Sequence, residues 1–239
     1  MSETKPRSLI DEYLAEKEAN GKIRENNVLF VTDLTKECLR NAYYDITIDT
    51  PATPKQLRIF ASGNMIEEFW VNEVLRNSKE IKILGTQLPV RYIDPIEPFE
   101  IHGRIDVLCQ HNNNQLILHE VKSIKNFYYL HEAKQDHQLQ SGFYLGCLGL
   151  EYCDFNYLSK ENMLQGLDAV DRTYRVKGDI NSYYYVIDSG KILYRSLKDK
   201  SPPQKNICWM CDGKNSKGKI FCNYKDVCDG QTKMDTPTS

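Results

Sequence analysis

The chain of 239 residues is long enough to bury a substantial core in one domain, and its 41% hydrophobic and 27% charged residues are ordinary for a globular protein. A net charge of −2 excludes a global basic field, so any contact with nucleic acid must rest on a local patch. The polar N-terminus has no apolar segment typical of a secretory signal, and no run approaches the roughly 18 apolar residues of a membrane helix. We therefore expect a cytoplasmic protein with no membrane partner.

The first part of the chain predicts helices. Residues 8–20 are expected to form a short helix closed by Gly21, and residues 33–45 a second helix with Asp33 as its N-cap. Residues 57–77 carry apolar side chains at roughly helical spacing, which indicates a long amphipathic helix.

The middle of the chain changes to a strand pattern. Residues 81–94, 100–110 and 114–124 predict three strands, and residues 111–115 predict a hairpin-like turn between the last two. Three strands that follow a set of helices favour an α/β core with a mixed sheet rather than an all-helical fold.

The last part of the chain mixes both patterns. Residues 131–150 return to a helical spacing, whereas residues 153–162 and 182–197 look mostly like strands, and the sequence Ser-Pro-Pro-Gln at 201–204 ends regular structure. We expect one domain over residues 1–239, an α/β fold whose central mixed β-sheet is flanked by helices.

Charged residues at the ends of two predicted strands suggest a metal site. Glu120 and Lys122 share one face of an apolar strand because side chains alternate along a strand, and the hairpin would bring Asp106 beside Glu120. Converging carboxylates repel each other, and a divalent cation relieves that repulsion. Mg²⁺ or Mn²⁺ on such ligands, with the Val121 carbonyl available and Lys122 to orient or help deprotonate a water, suits phosphodiester hydrolysis. A structural Glu120–Lys122 ion pair is the alternative.

Four short motifs occur in a fixed order along the chain. They are Gly63-x-x-x-Glu67, Gly103-x-x-Asp106, Glu120-x-Lys122 and Gln140-x-x-x-Tyr144. In this order they resemble the motifs of RecB-like exonucleases of the PD-(D/E)XK superfamily, in particular the CRISPR-associated RecB-like exonucleases that carry an iron–sulfur cluster.

The resemblance implies a restriction-endonuclease-like core and a role for each motif. The Mg²⁺ or Mn²⁺ ligands would be Glu67, Asp106, Glu120 and the carbonyl of Val121. Lys122 would assist the attacking water, and Gln140 and Tyr144 would lie at the DNA strand. Glu67 stands where the CRISPR-associated branch typically has a histidine, but a glutamate is used elsewhere in the superfamily.

The eight cysteines fall into two groups. Cys109, Cys147 and Cys153 lie singly in apolar stretches and are expected to be buried small hydrophobic residues. The others have polar or turn-rich surroundings: Cys38, Cys208, Cys211, Cys222 and Cys228. Because four of these five crowd into the C-terminal tail, they predict a metal or iron–sulfur site.

The resembled family holds a 4Fe–4S cluster with one N-terminal cysteine and three from the tail. This implies the ligands Cys38, Cys211, Cys222 and Cys228, with Cys208 as a substitute for Cys211. The N-terminal helices, about 8–50, and the tail, about 205–230, would then form one cluster-bearing lobe. A Cys₄ zinc site made by the four tail cysteines without Cys38 is the alternative.

The function expected from these features is a metal-dependent DNA exonuclease that prefers single-stranded or frayed DNA ends. Its context would be CRISPR adaptation or recombination and repair, with CRISPR integration or recombination proteins as possible partners. The alternative is a non-catalytic, cluster-bearing DNA-binding or scaffold subunit. A local basic excess over residues 191–219 could follow a phosphate backbone, or be a solvated face. Phe127, Tyr128 and Tyr129 could stack on bases, or pack in the core.

Overall fold

The structure is a computed structural model that describes residues 8–20, 24–25, 27–48, 51–166, 168–205, 213 and 222–230. Its helices are α1 Leu9–Ala19, α2 Val31–Leu34, α3 Leu39–Thr47, α4 Pro54–Phe69, α5 Gln135–Leu148, α6 Lys160–Gln165, α7 Ile180–Lys198 and α8 Lys225–Cys228. A π-helical turn, Trp70–Leu75, extends α4. Its strands are β1 Val28–Phe30, β2 Ile81–Ile93, β3 Glu100–His111, β4 Leu116–Ile124, β5 Tyr152–Ser159 and β6 Asp171–Lys177. Within these described ranges, no helix is long and apolar enough to cross a membrane.

The six strands form one mixed sheet in which one edge of β3 pairs with two different strands. One edge of β3 pairs with antiparallel β2 from Glu100 to His111. The other edge pairs with parallel β1 at residues 100–102 and with antiparallel β4 at residues 107–110. Beyond β4 the sheet continues with parallel β5 and antiparallel β6. Residues 103–106 of β3 therefore face a gap between β1 and β4.

Helices cover both faces of this sheet, as expected for an α/β fold. On one face, the π-helical turn after α4 packs the side chains Trp70, Val71 and Leu75 against Val107 and Val121. On the other face, α3, α5 and α7 join a larger apolar cluster with the strands. The predicted central mixed sheet flanked by helices is confirmed, and so are the three central strands with their hairpin.

The predicted helix over residues 33–45 is wrong, because the chain forms two short helices there. Asp33 is not an N-cap; it lies inside α2, where its carboxylate accepts a hydrogen bond of 3.2 Å from the backbone N–H of Phe30. The chain then turns, and α3 begins after Cys38. Leu34 and Ala42 are both buried and keep a helical spacing across this turn, which explains why the pattern indicated one helix.

The strand prediction for residues 182–197 is also wrong, because this segment lies in helix α7. Its tyrosines and β-branched residues are typical of strands. However, Val186, Gly190 and Leu193 are buried at helical spacing, and the Asp179 carboxylate caps the helix by accepting from the Asn181 N–H at 3.0 Å. Burial on one face therefore decided the structure over local propensity. Strand β6, with mostly exposed polar side chains, was not predicted.

Candidate active site

The predicted carboxylates Asp106 and Glu120 meet where β3 and β4 separate. The ladder between the two strands includes the pair Val107 and His119, and Asp106 and Glu120 are the next residues along each strand. The backbone pairing of β3 with β4 ends at that pair. The Val121 N–H instead donates a hydrogen bond of 2.8 Å to the Asp106 carboxylate. The sheet gap thus places the two carboxylates together.

Glu120 is fully buried, and among the described residues only one of its two carboxylate oxygens has a hydrogen-bond partner. Its Oε2 accepts a hydrogen bond of 2.8 Å from Lys122 Nζ, whereas its Oε1 is buried with no hydrogen-bond partner among the described residues. Burial, and then the charge of Asp106, raises the pKa of Glu120. A buried polar atom without a partner costs about 1–3 kcal/mol. A hard divalent cation would satisfy this oxygen, so the donor set fits the predicted metal.

Glu67, on α4, is the third carboxylate of this site. Burial, followed by the charge of Asp106, raises the pKa of Glu67 to about 7. Its neighbour Glu68 is exposed. Glu67 rather than Glu68 therefore faces the sheet gap, in agreement with the motif that begins at Gly63.

Gln87 supports Glu67 and was not found by sequence reasoning. Its Nε2 donates a hydrogen bond to Glu67 Oε1. Gln87 lies inside β2 with a φ of 53°, between residues paired with Ile105 and Val107, and therefore opposite Asp106. A left-handed backbone at a non-glycine residue is costly and tends to persist at functional sites. A single glutamine in a strand carries no motif that could have predicted this.

We expect the variant Gln87→Gly to be more stable than Gln87→Ala by about 1 kcal/mol or more. Both variants lose the hydrogen bond to Glu67, but glycine adopts a positive φ without strain whereas alanine does not. Urea unfolding of the two variants in the absence of metal measures the difference. An alanine variant as stable as the glycine variant would contradict a strained backbone at this position.

Helix α5 connects the carboxylates to the Gln140-x-x-x-Tyr144 motif. Gln140 Oε1 accepts a hydrogen bond of 3.2 Å from Lys122 Nζ, and Gln140 Nε2 donates one of 3.0 Å to the Tyr144 hydroxyl. The same hydroxyl accepts from the backbone N–H of Arg104 at 3.4 Å. These contacts run continuously from Lys122 to β3, so three of the motifs meet at one site, and the charge of Asp106 acts on Glu67 of the fourth.

Gly103 is a glycine because the Tyr144 ring leaves no room for a side chain. A Cβ at Gly103 would lie 2.4 Å from Tyr144 Cε1, whereas one at Gly63 would lie 3.6 Å from Ser123 Oγ. We expect Gly103→Ala to lower the free energy of unfolding by about 1–3 kcal/mol through overpacking. Gly63→Ala is the matched control and should be neutral or stabilising by up to about 1 kcal/mol, since it lies in a helix. Urea titration measures both, and equal effects would contradict the contact with Tyr144.

The described part of the tail packs against α3, which follows Cys38. Cys38 and Cys222 are buried in the same apolar cluster, and Cys228 packs against it and is hydrogen bonded to Tyr44. Cys208 and Cys211 lie outside the described residues. The contact between tail and α3 is therefore present, while cluster ligation stays a prediction. Of the cysteines expected in the core, Cys109 and Cys153 are fully buried, whereas Cys147 is only half-buried.

The sequence predicts two segments that contact DNA, one basic and one aromatic. In the described part of the basic segment, Lys191 pairs with Asp188 at 3.4 Å and Arg195 pairs with Glu97, while residues 206–212 and 214–219 lie outside the described residues. Among the three aromatics, Phe127 is buried, whereas Tyr128 is 78% and Tyr129 95% exposed. The two tyrosines are thus the aromatic residues of this segment that a ligand can reach.

Comparison with known proteins is informative about the fold. No protein-family model matches the chain, and no curated protein matches its sequence. The crystal structure of SSO0001 superposes with a TM-score of 0.62 at 19% identity, over 95% of this chain and 98% of that one. An alkaline exonuclease from Laribacter hongkongensis gives a TM-score of 0.46 at 14% identity, over 79% of this chain and 93% of its own. A phage-related exonuclease from Haemophilus somnus 129PT gives 0.38 at 8% identity, over 67% and 94%. The first match shows a shared fold, and the other two are too distant to add to it.

Proposed function

We propose that the protein is a metal-dependent DNA exonuclease of the PD-(D/E)XK type, acting in CRISPR adaptation or in recombination and repair. The observation that carries the proposal is the buried Glu120 Oε1, which has no donor among the described residues and lies beside a second raised-pKa carboxylate, Asp106. A site built only for stability would pair this oxygen.

Four groups of this chain would hold Mg²⁺ or Mn²⁺: the carboxylates of Glu67, Asp106 and Glu120 and the carbonyl of Val121. When bound, the ion would polarise the scissile phosphate and acidify the attacking water. Burial alone would lower the pKa of Lys122, but the charges of Glu120 and Asp106 raise it well above its ordinary value. In the metal-free protein these charges hold Lys122 in its protonated form, and its ammonium would orient the water and offset phosphate charge.

Degradation of a linear single-stranded oligonucleotide in the presence of Mn²⁺ tests this proposal. The full-length chain should shorten the labelled strand, and EDTA should stop the reaction. Asp106→Asn should be inactive, whereas the matched control Asp168→Asn, at an exposed position, should keep full activity. Equal activity in both variants would point to a contaminating nuclease and would overturn the assignment.

The preference for single-stranded ends is supported by a rigid loop that follows β4. Two hydrogen bonds fix the backbone on either side of Tyr128 and Tyr129: Ser159 Oγ donates to the Lys125 carbonyl at 3.2 Å, and Arg172 donates to the Leu130 carbonyl at 3.1 Å. The loop begins three residues after Lys122. Exposed tyrosines on a fixed loop present flat rings on which unpaired bases stack, at about 1–3 kcal/mol per base.

We expect the double variant Tyr128→Ala/Tyr129→Ala to bind single-stranded DNA about tenfold or more weakly, since each lost tenfold corresponds to about 1.4 kcal/mol. Fluorescence anisotropy with a labelled oligonucleotide, in the inactive Asp106→Asn background, measures the dissociation constant. Tyr13→Ala, at an exposed tyrosine on α1, is the control. Unchanged affinity in the double variant would remove these rings from the DNA path.

We further propose a 4Fe–4S cluster on Cys38, Cys211, Cys222 and Cys228, with Cys208 able to substitute for Cys211. The packing of the described tail against α3 supports it, because α3 starts next to Cys38.

Metal analysis of anaerobically purified protein tests the cluster. It should be brown, with about four irons and four sulfides per chain. Cys38→Ser should lose iron, whereas Cys147→Ser should not. Colourless protein with zinc that survives Cys38→Ser would establish the tail-only zinc site instead.

A further inference from the structure

A second group of metal-ligand side chains lies on the sheet face opposite Glu120 and Lys122. It consists of His111 at the end of β3, His119 on β4 and Asp154 on β5, whose ligand atoms all lie within 4.8 Å of one another. We propose that these three side chains form a separate site for a transition-metal ion of the zinc class. The proposal does not depend on nuclease activity.

Strand geometry brings the three side chains together. His119 and Asp154 are partners in the parallel register of β4 and β5, so their side chains are neighbours on one face. His119 alternates with Glu120, which directs the imidazole away from the nuclease site. The His119 and Asp154 side chains are only 3% and 5% exposed, whereas His111 is half-buried, which leaves access from one side.

The distances suit a shared ion. His111 Nε2 and His119 Nε2 are 3.0 Å apart, and His119 Nε2 is 3.9 Å from Asp154 Oδ2. Two nitrogens on one tetrahedral zinc, at about 2.0–2.1 Å each, lie about 3.3 Å apart. Small side-chain movements would therefore admit the ion, and two imidazoles with one carboxylate favour zinc over magnesium.

The contacts behind the ligands also suit a metal. Arg175 holds the Asp154 carboxylate through two hydrogen bonds of 2.7 Å. Fixed outer partners of this kind orient ligands in metal sites.

Asn156 sets the tautomer of His119. As the side chains lie, Asn156 Nδ2 donates to His119 Nδ1 at 3.2 Å, so the ring proton is on Nε2 and points to His111. Metal binding requires that proton to move to Nδ1 and the Asn156 amide to turn, so that its oxygen accepts. No net proton is released. A hydrogen-bonded histidine pair without metal is the competing state that the experiment must distinguish.

An occupied site would link β3, β4 and β5 on the face of the sheet opposite the side chains of Asp106 and Glu120. Its role would be to hold the strands that carry these two residues, not to contact DNA.

Zinc soaks of crystals of the full-length protein test the site without any substitution in it. Diffraction at the zinc edge should give an anomalous peak about 2.0–2.2 Å from both His111 Nε2 and His119 Nε2. Peaks only at the tail cysteines or at the Glu67, Asp106 and Glu120 carboxylates would overturn the proposal.

Zinc content in solution is the second measurement. In the Asp106→Asn background, His111→Ala should bind one zinc fewer per chain than the matched control His131→Ala, which changes an exposed histidine. The zinc-dependent rise in Tm should shrink in the same variant. Equal zinc content in both variants would show that the two rings form a metal-free hydrogen-bonded pair.

Discussion

Replacing Lys122 with methionine is expected to slow Mn²⁺-dependent DNA degradation by about 10²–10⁴-fold, the range for losing one positioned donor or proton-handling group. Methionine keeps most of the side-chain stem but loses Nζ, which donates to Glu120 Oε2 at 2.8 Å and to Gln140 Oε1 at 3.2 Å. The variant therefore keeps its packing, while the charge that we propose faces the phosphate disappears. Glu120 also loses its contact with the Lys122 ammonium, so the pKa of Glu120 should rise further.

Single-turnover rates with saturating protein separate this effect from weaker DNA binding. Lys79→Met is the matched control, since Lys79 is exposed in the turn before β2. Its rate should equal that of the unaltered protein, and far-UV circular dichroism of both variants should be unchanged. A Lys122→Met variant that cleaves at the normal rate would mean that Lys122 only balances Glu120 in the folded protein.

Mn²⁺ is expected to stabilise the protein at pH 8 by about 2.7 kcal/mol when present at 100 times its dissociation constant. The metal-free protein, in contrast, should become less stable as the pH rises. The folded-state pKa of Glu67 is raised from 4.5 to about 7, and those of Asp106 and Glu120 are also raised. The contribution of Glu67 to stability is thus full below about pH 4.5 and is lost as the pH rises through 7. Those of Asp106 and Glu120 change in the same direction. Mn²⁺ should offset that loss at pH 8 and have little effect at pH 5, where protons compete for the carboxylates.

Thermal unfolding at pH 5 and pH 8, with and without Mn²⁺, measures this linkage. Asp106→Asn should lose most of the Mn²⁺ response at pH 8, whereas Asp168→Asn should keep it. A Mn²⁺ response that is the same in Asp106→Asn would locate the bound ion away from the sheet gap.

The parts of the site that strands carry could be predicted from the sequence. The period of two places Glu120 and Lys122 on one face, and the turn at 111–115 fixes Asp106 beside them. Glu67 came only from the resemblance of the segment from Gly63 to Glu67 to a family motif. The structure shows that Glu67 rather than its neighbour Glu68 is turned toward the sheet gap. The sequence could not decide between them, because the choice depends on how α4 packs on the sheet.

Features that depend on distant pairing could not be predicted in this way. The cluster of His111, His119 and Asp154 requires the parallel register of β4 and β5, which no local pattern specifies. The left-handed backbone of Gln87, which lies opposite Asp106, has no local sequence signal either. The strand prediction over α7 failed because its tyrosines favour strands, and only the burial of one face, largely against α5 and α3, decides for a helix.

The most direct test of the central claim compares linear and covalently closed circular single-stranded DNA of the same length, incubated with the protein and Mn²⁺. We expect the linear strand to be shortened progressively from an end, the circle to stay intact, and the Asp106→Asn variant to degrade neither. Degradation of the linear strand no faster than by Asp106→Asn would contradict a nuclease site at Asp106, Glu120 and Lys122.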